Sequence, residues 1–426
     1  MRTTFTEVQA SCLAMILDRR NQMKQISRLL AATAASVVVA LVAAGCGSSD
    51  TSTPSASSST GRPAPPTLTA ATAVGAGEGE LNIVVWAGYA ENGSTDPAVD
   101  WVSPFTSATG CKVNVKTGNT SDEMVTLMST GQYDGVSASG DASLRLIYGG
   151  DVAPVNTDLV PNYKTVSDFL KLKEWNSVNG IAYGIPHGWG ANVLAYNPAV
   201  VTPAPTSWGA VFDPASPYAG KITAYDSPIY IADAALYLSK TKPELKITNP
   251  YALDETQFAA AVALLKLQRP LISQYWAAYT DEVTSFGAQS TVLGTAWQIN
   301  VNLINGEGKV KVESLVPSEG ATGWSDTWMI ASKAAHPNCM YKWMDWIVSP
   351  KVNAQVAEWF GEAPAQTLAC AETSDKNFCD GYHATDAAYA NSISYWTTPT
   401  TDCLDGRGAI CKDYSAWSQA WTEIKG

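Results

Sequence analysis

The stretch Trp324-Ser325-Asp326-Thr327-Trp328 puts a carboxylate two residues after one tryptophan and two before another. In an extended segment, side chains two apart leave the backbone on one face, so this spacing sets Asp326 between two indole rings. That grouping suits an organic cation. A buried carboxylate without a partner costs several kcal/mol, whereas a cation carried by a ligand meets the charge and lies against the ring faces. The same five residues also read as an ordinary strand in which two core tryptophans flank a solvated aspartate.

The elements that would position this carboxylate can be read in chain order. Leu81 to Trp86 is a strand, the segment from Pro97 to Ala108 is a helix ended at Gly110, and Lys112 to Lys116 is the next strand. Thr120 or Ser121 caps a helix whose Met124, Leu127 and Met128 share a face, and Tyr133 to Ala138 is again a strand. This β-α-β-α-β order argues for a parallel sheet with helices on its faces, whose ligands sit at the carboxyl ends of the strands. Those ends carry Trp86 to Tyr89 and Ser139 to Asp141.

A long extended run from Ile181 to Asn197, broken by glycines, suits a crossing between lobes. A second α/β region follows: strand Lys221 to Asp226, helices near Tyr230 to Ser239 and Thr256 to Leu267, and strand Leu293 to Gln298. Trp324 to Ile330 reads as the return crossing. After it, Met340, Trp343, Met344 and Ile347 follow the spacing of an amphipathic helix.

The first 45 residues read as an address. Arg19, Arg20, Lys24 and Arg28 precede the apolar run Leu29 to Ala44, and Ala43-Ala44-Gly45-Cys46 closes it with small residues before a cysteine. This resembles a bacterial lipoprotein signal, which implies cleavage before Cys46, lipidation of that cysteine and anchoring by acyl chains on the extracytoplasmic face. A retained transmembrane helix is the alternative. Residues 46–79, rich in Ser, Thr, Pro and Ala, read as a disordered tether.

Composition excludes several functions. The chain of 426 residues is 46% hydrophobic and 15% charged, enough apolar material for two cores. Its formal charge of −12 becomes −15 once the leader is removed, since 22 basic residues then face 37 acidic ones. A surface this acidic repels nucleic acid. All 15 tryptophans lie beyond residue 85, more than the cores alone require. Six cysteines follow Cys46, and an even number in an exported protein reads as disulfides. Cys370 with Cys379 and Cys403 with Cys411 close short loops and leave Cys111 with Cys339, although six cysteines allow about 15 pairings. No CxxC or nearby Cys/His spacing supports a metal site, and no cofactor motif is present.

Leu81 to Tyr89, the Gly184 to Asn197 crossing, Leu293 to Trp297 and Gly323 to Asp326 stand in the order and approximate spacing of the spermidine/putrescine-binding proteins of ABC importers, which the chain resembles over roughly residues 80–426. The resemblance implies an α/β, two-lobed, periplasmic-binding-protein-like (type II) fold with two hinge crossings and a ligand cleft. Lobe 1 is expected over 80–187 and 325–370, and lobe 2 over 188–324 and 371–426. It further implies a polyamine between the lobes, stacked on rings and held by carboxylates, and a monomeric receptor that serves a membrane permease and its ATPase. Trp86, Tyr89, Ser139, Trp297, Trp324 and Asp326 match ligand-contacting positions of that family.

The departures concern charge. Where the family offers further carboxylates on the second lobe, this chain has Ser227 and Tyr230 after Asp226; Asp141 and Glu362 stand where aromatic residues are usual, and Trp396 aligns loosely. A redistribution of acids for a polyamine of different length, or a ligand with one cationic end, are both compatible with this pattern. A receptor for an uncharged solute such as a sugar is the competing reading, and a purely structural lipoprotein is another. Hydrolase chemistry finds little support. Gly135 to Ser139 fails the GxSxG pattern, and His187, between Pro186 and Gly188, reads as a hinge or cleft-wall residue.

Overall fold

The computed structural model describes residues 64–426. The leader, the lipidation position Cys46 and residues 46–63 of the expected tether lie outside the described residues. Residues 64–79 form neither helix nor strand, yet they are held against the first lobe. Asn156 donates to the Ala71 carbonyl, Gly75 donates to Asn338, and Ala71 and Val74 pack on the core. The tether expected to run to residue 79 therefore docks before it reaches the first strand.

Three parallel strands open the first lobe: β1 (Glu80–Val85), β2 (Lys112–Thr117) and β3 (Gly135–Ala138). Helices α1 (Val102–Thr109), α2 (Ser121–Ser129) and α3 (Gly140–Gly149) connect and cover them. α1 starts later than its composition suggests, because Asp96 and Asp100 tie the preceding backbone into turns by accepting from Ala98 and Ser103. Thr120 caps α2 as expected, its hydroxyl accepting from the Glu123 amide.

A small hairpin, β4 (Ser177–Val178) with β5 (Ile181–Ala182), leads into β6 (Ile185–Tyr196), the first crossing. The second lobe is built on β7 (Ile222–Tyr225), β8 (Ile272–Trp276) and β9 (Leu293–Trp297), with helices α4 (Ile231–Thr241), α5 (Glu255–Gln268), α6 (Tyr279–Gly287) and α7 (Gln298–Gly306). α5 begins in an Asp254/Gln257 capping box and stops before Pro270. The short β10 (Glu313–Leu315) precedes β11 (Ala321–Ile330), the return crossing.

One curled sheet runs through both lobes in the order β2-β1-β3-β11-β6-β9-β7-β8. β6 pairs with β11 through its first half and with β9 through its second, so each crossing strand belongs to both lobes. The molecule is thus a two-lobed α/β protein with two adjacent, antiparallel crossings, as the sequence pattern implied. α8 (Pro337–Ile347) and α9 (Pro350–Phe360) return to the first lobe, followed by β12 (Ala363–Pro364), which pairs with β6.

Residues 371–392, expected in lobe 2, pack largely on α9. Phe378 and Cys379 cluster with Ala357, and Ser374 and the Asp375 amide donate to Glu358. The physical reason is local: the Cys370–Cys379 disulfide folds the segment back on the helix it has just left. β13 (Ile393–Tyr395) then pairs with the start of β11, and α10 (Tyr414–Lys425) closes on the second lobe. Cys403–Cys411 and Cys111–Cys339 are also bonded, so the three pairings favoured by spacing are those formed. Among the described residues no helix is long and apolar enough to cross a membrane.

Candidate functional site

β6 carries one extra residue, His187, opposite the step from Asp326 to Thr327 on β11. β11 itself keeps its alternation: Trp328 pairs with Ser137 and Asp326 bonds Ser139 on the same face of β3. Trp324 falls in the core that holds Tyr225, Trp276 and Trp396, whereas Trp328 falls in the other core, beside His187 and Trp343. Asp326 stands between the two tryptophans along one face of β11, while the rings themselves pack into different cores. Trp324 remains on the cleft side, and Trp328 is a packing residue.

The pairing of β11 with β3 brings Asp326 to the first lobe. Its Oδ1 accepts from the Ser139 hydroxyl at 2.5 Å and its Oδ2 from the Tyr89 hydroxyl at 2.6 Å. Ser139 stands at the N-terminus of α3, and Tyr89 on the turn after β1, where Gly88 at φ +98° allows the reversal. The Tyr89 hydroxyl also lies 2.8 Å from Glu362 Oε2. Glu362 is delivered by the left-handed Gly361 that ends α9, and its carboxylate lies flat over Gly188, where a Cβ would come within 2.0–2.1 Å of three of its atoms.

Tyr89, Asp326 and Glu362 are buried, at 0, 3 and 0% exposure, and among the described residues no Lys or Arg pairs with either acid. Burial pushes the Asp326 carboxyl up to about 6, opposed by His187 and by hydrogen bonds from Ser139 and Tyr89, and reinforced by the charge of Glu362. Burial and the two carboxylates hold the Tyr89 hydroxyl well above the ordinary tyrosine range. A hydroxyl has one proton to donate, so both short contacts are satisfied together when one carboxyl group carries a proton of its own.

His187 lies behind this cluster. Its Nε2 is 2.9 Å from the Ser137 hydroxyl, and its Nδ1 is 3.5 Å from Glu362 Oε1 without making a hydrogen bond. Serine, histidine and glutamate in line resemble a hydrolytic triad in composition. All three are fully buried, which leaves no room for a substrate carbonyl at Ser137.

The other predicted residues divide. Trp297 and Trp324 are 6.3 Å apart, and Trp324 is 6.1 Å from Phe360, which packs 4.1 Å from Tyr89; together they form a row of rings from the second lobe to the first. Trp86 is half-buried beside both cores, and its indole N–H has no protein partner. Asp141 is buried in the first turn of α3, accepts from Ser121, and is pushed up to about 6 by burial, with the Ser121 hydrogen bond and Arg145 opposing. The Thr398 hydroxyl donates to the Gly140 and Asp141 carbonyls and so covers it. Trp396 packs 5.6 Å from Tyr225.

Tyr230 does not join the site. It is fully buried in the second lobe between Phe212, Tyr225 and Trp421, and its hydroxyl accepts from Gln268. It leads into an amphipathic helix whose apolar face claims the ring, so core packing outweighs the alignment.

Sequence reading placed His187 at a hinge or cleft wall but missed Phe360 and a chain in which Trp297 donates to Asn192, Asn192 to Thr322, Thr322 to Asp233, and Tyr225 to the other Asp233 oxygen. Burial raises the Asp233 carboxyl to about 7, with the bonds from Tyr225 and Thr322 opposing.

Residues 100–377 match the family described as bacterial extracellular solute-binding protein. The chain belongs to that family. It is similar to the putrescine-binding periplasmic protein SpuD of Pseudomonas aeruginosa, strain UCBPP-PA14, at 26% identity over 292 residues, 65% of this chain and 76% of that one. It is also similar to the spermidine/putrescine-binding periplasmic protein of Escherichia coli K12, at 24% identity over 288 residues, 65% and 78% of the two chains. Its fold matches the crystal structure of the spermidine/putrescine ABC transporter substrate-binding protein PotD from Streptococcus pneumoniae, with TM-score 0.62, 17% identity, and coverage of 81% of this chain and 97% of that one. This solute-binding protein is a receptor, not an enzyme.

Proposed function

We propose that this solute-binding protein captures a polyamine or a related organic cation between its lobes and delivers it to an ABC permease driven by an ATPase. One observation carries the reading: two buried carboxylates, Asp326 and Glu362, meet at one tyrosine hydroxyl with no lysine or arginine among the described residues paired to them. Burying two acids in contact is unfavourable unless a positive charge arrives from outside. The relatives named for putrescine and spermidine support the choice of cation.

The binding residues are Trp86, Tyr89, Ser139, Asp141, Trp297, Trp324, Asp326 and Glu362, with rings stacking on methylenes and the acids meeting ammonium groups. Opening about β6 and β11 hydrates the acids; the ligand replaces that water and draws the lobes together. The mature protein is a monomer anchored through a lipidated Cys46. No bond is made or broken in the cycle.

Calorimetry of the mature protein with putrescine, spermidine, spermine, choline and a panel of sugars tests the reading. Micromolar or tighter binding of an amine, about −8 kcal/mol, with no response to sugars is the expected result. Sugar binding with silence from every amine overturns it.

A further inference from the structure

Of the tryptophans assigned to the cleft, Trp297 is held differently from Trp86 and Trp324. The indole N–H groups of Trp86 and Trp324 are buried and meet no acceptor among the described residues. That of Trp297 donates to Asn192 Oδ1 at 3.1 Å. Trp297 ends β9 directly across from Asn192 on β6, and its ring meets Trp276 edge-on at 4.8 Å and Trp324 at 6.3 Å.

This bond is the first of a directed series. An indole nitrogen only donates, so it fixes the Asn192 amide with its oxygen toward the ring and its nitrogen away. Asn192 Nδ2 accordingly donates to Thr322 Oγ1 at 2.7 Å, and the Thr322 hydroxyl donates its own proton to Asp233 Oδ1 at 2.9 Å. Tyr225 donates to the other oxygen of Asp233. Asn192 lies on β6, Thr322 on β11 and Asp233 in the first turn of α4, and all three are buried. Asp233 has no lysine or arginine partner among the described residues. A buried acid without a counter-charge is a poor way to stabilise a core, where an apolar side chain of similar size serves better. It does give the series an acceptor at its end, so no donor along the way is left over.

We infer that Asn192, Thr322 and Asp233 are positioning residues for the ligand: they fix the rotation of the Trp297 ring in the cleft. Because they stand on both crossings and on α4, the ring is set only while β6 and β11 lie as they do here. Trp297 is a ring on which ligand methylenes stack in the reading proposed above, and the inference rests on that reading. It adds to it the device that holds one wall of the site, while Trp86 and Trp324 take their places by packing.

The test is calorimetry on the mature protein with putrescine or spermidine, whichever the wild type binds more tightly. The variants are Thr322→Val, Thr322→Ser, Trp297→Phe and the double variant Thr322→Val/Trp297→Phe. Valine keeps the shape of threonine and cuts the series, so affinity falls about tenfold, or about 1.4 kcal/mol. Serine keeps the hydroxyl and recovers the wild-type affinity to within about twofold. Phenylalanine has no N–H for the series to hold, so in the Trp297→Phe background Thr322→Val costs no further affinity. In protein labelled with nitrogen-15 tryptophan, the indole resonance that Trp297→Phe deletes moves in unliganded Thr322→Val and stays in place in Thr322→Ser. Should Thr322→Val not fold, Asp233→Ala, which removes the end acceptor, and Asp233→Asn, which can still accept from Thr322, give the same pair of comparisons. A change in the series that costs the same affinity with or without the indole, or that leaves the indole resonance unmoved, overturns the inference and leaves the cation reading standing. Absence of binding by any amine overturns both.

Discussion

The Tyr89 hydroxyl stands 2.6 Å from Asp326 Oδ2, joining residues 237 positions apart in the chain. The contact links the turn after the first strand to the return crossing, and the same hydroxyl reaches Glu362. Removing it with Tyr89→Phe leaves two buried carboxylates facing each other with nothing between them. Unliganded Tyr89→Phe should lose about 1–3 kcal/mol of stability in denaturant titrations at pH 7.5, and less at pH 5, where one acid is protonated. Equal losses at both pH values would contradict the shared-proton arrangement.

Asp326→Asn separates stability from binding. The amide can still accept from Ser139 and no longer carries a buried charge, so the unliganded protein should be as stable as the wild type or more so. Amine affinity should fall at least tenfold, because the acid next to the cation is gone. Calorimetry and thermal unfolding on the same preparation check both halves; a variant that is destabilised and binds normally would sink this account.

Acid should stabilise the unliganded protein across the window in which the buried acids titrate. Asp326 and Asp141 have folded values raised to about 6 and Asp233 to about 7, all above their ordinary value. A raised acid binds its proton more tightly folded than unfolded, so its contribution is fully present below the unfolded value and is lost as pH rises through 6 to 7. Melting temperature should therefore rise from pH 8 to pH 5. Glu78, whose carboxylate accepts from the Asn338 and Cys339 amides, is shifted the other way, and its contribution disappears only below the ordinary glutamate range. Amine binding should follow the opposite course, strengthening from pH 5 to pH 8 with release of protons, which calorimetry in buffers of different ionisation enthalpy reads directly.

Gly188→Ala tests the seat of Glu362. A Cβ there would meet the carboxylate at 2.0–2.1 Å, so the side chain must leave its place over β6. The expected cost is about 1–3 kcal/mol of stability, with amine binding lost. Ala substitution at Gly381, where a Cβ meets nothing, is the control and should change neither.

Replacing Cys111 and Cys339 with serine opens a link across 228 residues between the residue just before β2 and α8. The double variant should lose about 2–5 kcal/mol, measured by denaturant titration. Opening Cys370–Cys379, which spans 9 residues, should cost less stability, because the loop it closes is shorter.

The sequence by itself determined the two α/β halves, the two crossings and the disulfide pairs. Period-two apolar runs, capping residues and short cysteine loops are local signals, and the elements they indicate appear within a few residues of their expected ends. It also supplied Tyr89, Ser139, Trp324 and Asp326, through motifs that resemble a known family. The tertiary structure alone decided what Asp326 meets. Spacing placed it between Trp324 and Trp328, and the pairing of β11 with β3 keeps that face, but the two rings pack in different cores and the acid meets Ser139 and Tyr89. Those contacts depend on the partner strands, and a partner 130 or more residues distant leaves no mark in the local pattern. Tyr230 was misplaced for the same reason in reverse, since an alignment gives a ring's position in the chain while neighbouring helices decide which side of the sheet buries it. The unpartnered oxygen of Glu362 and the rings around it come from chain segments that meet only when both lobes are folded.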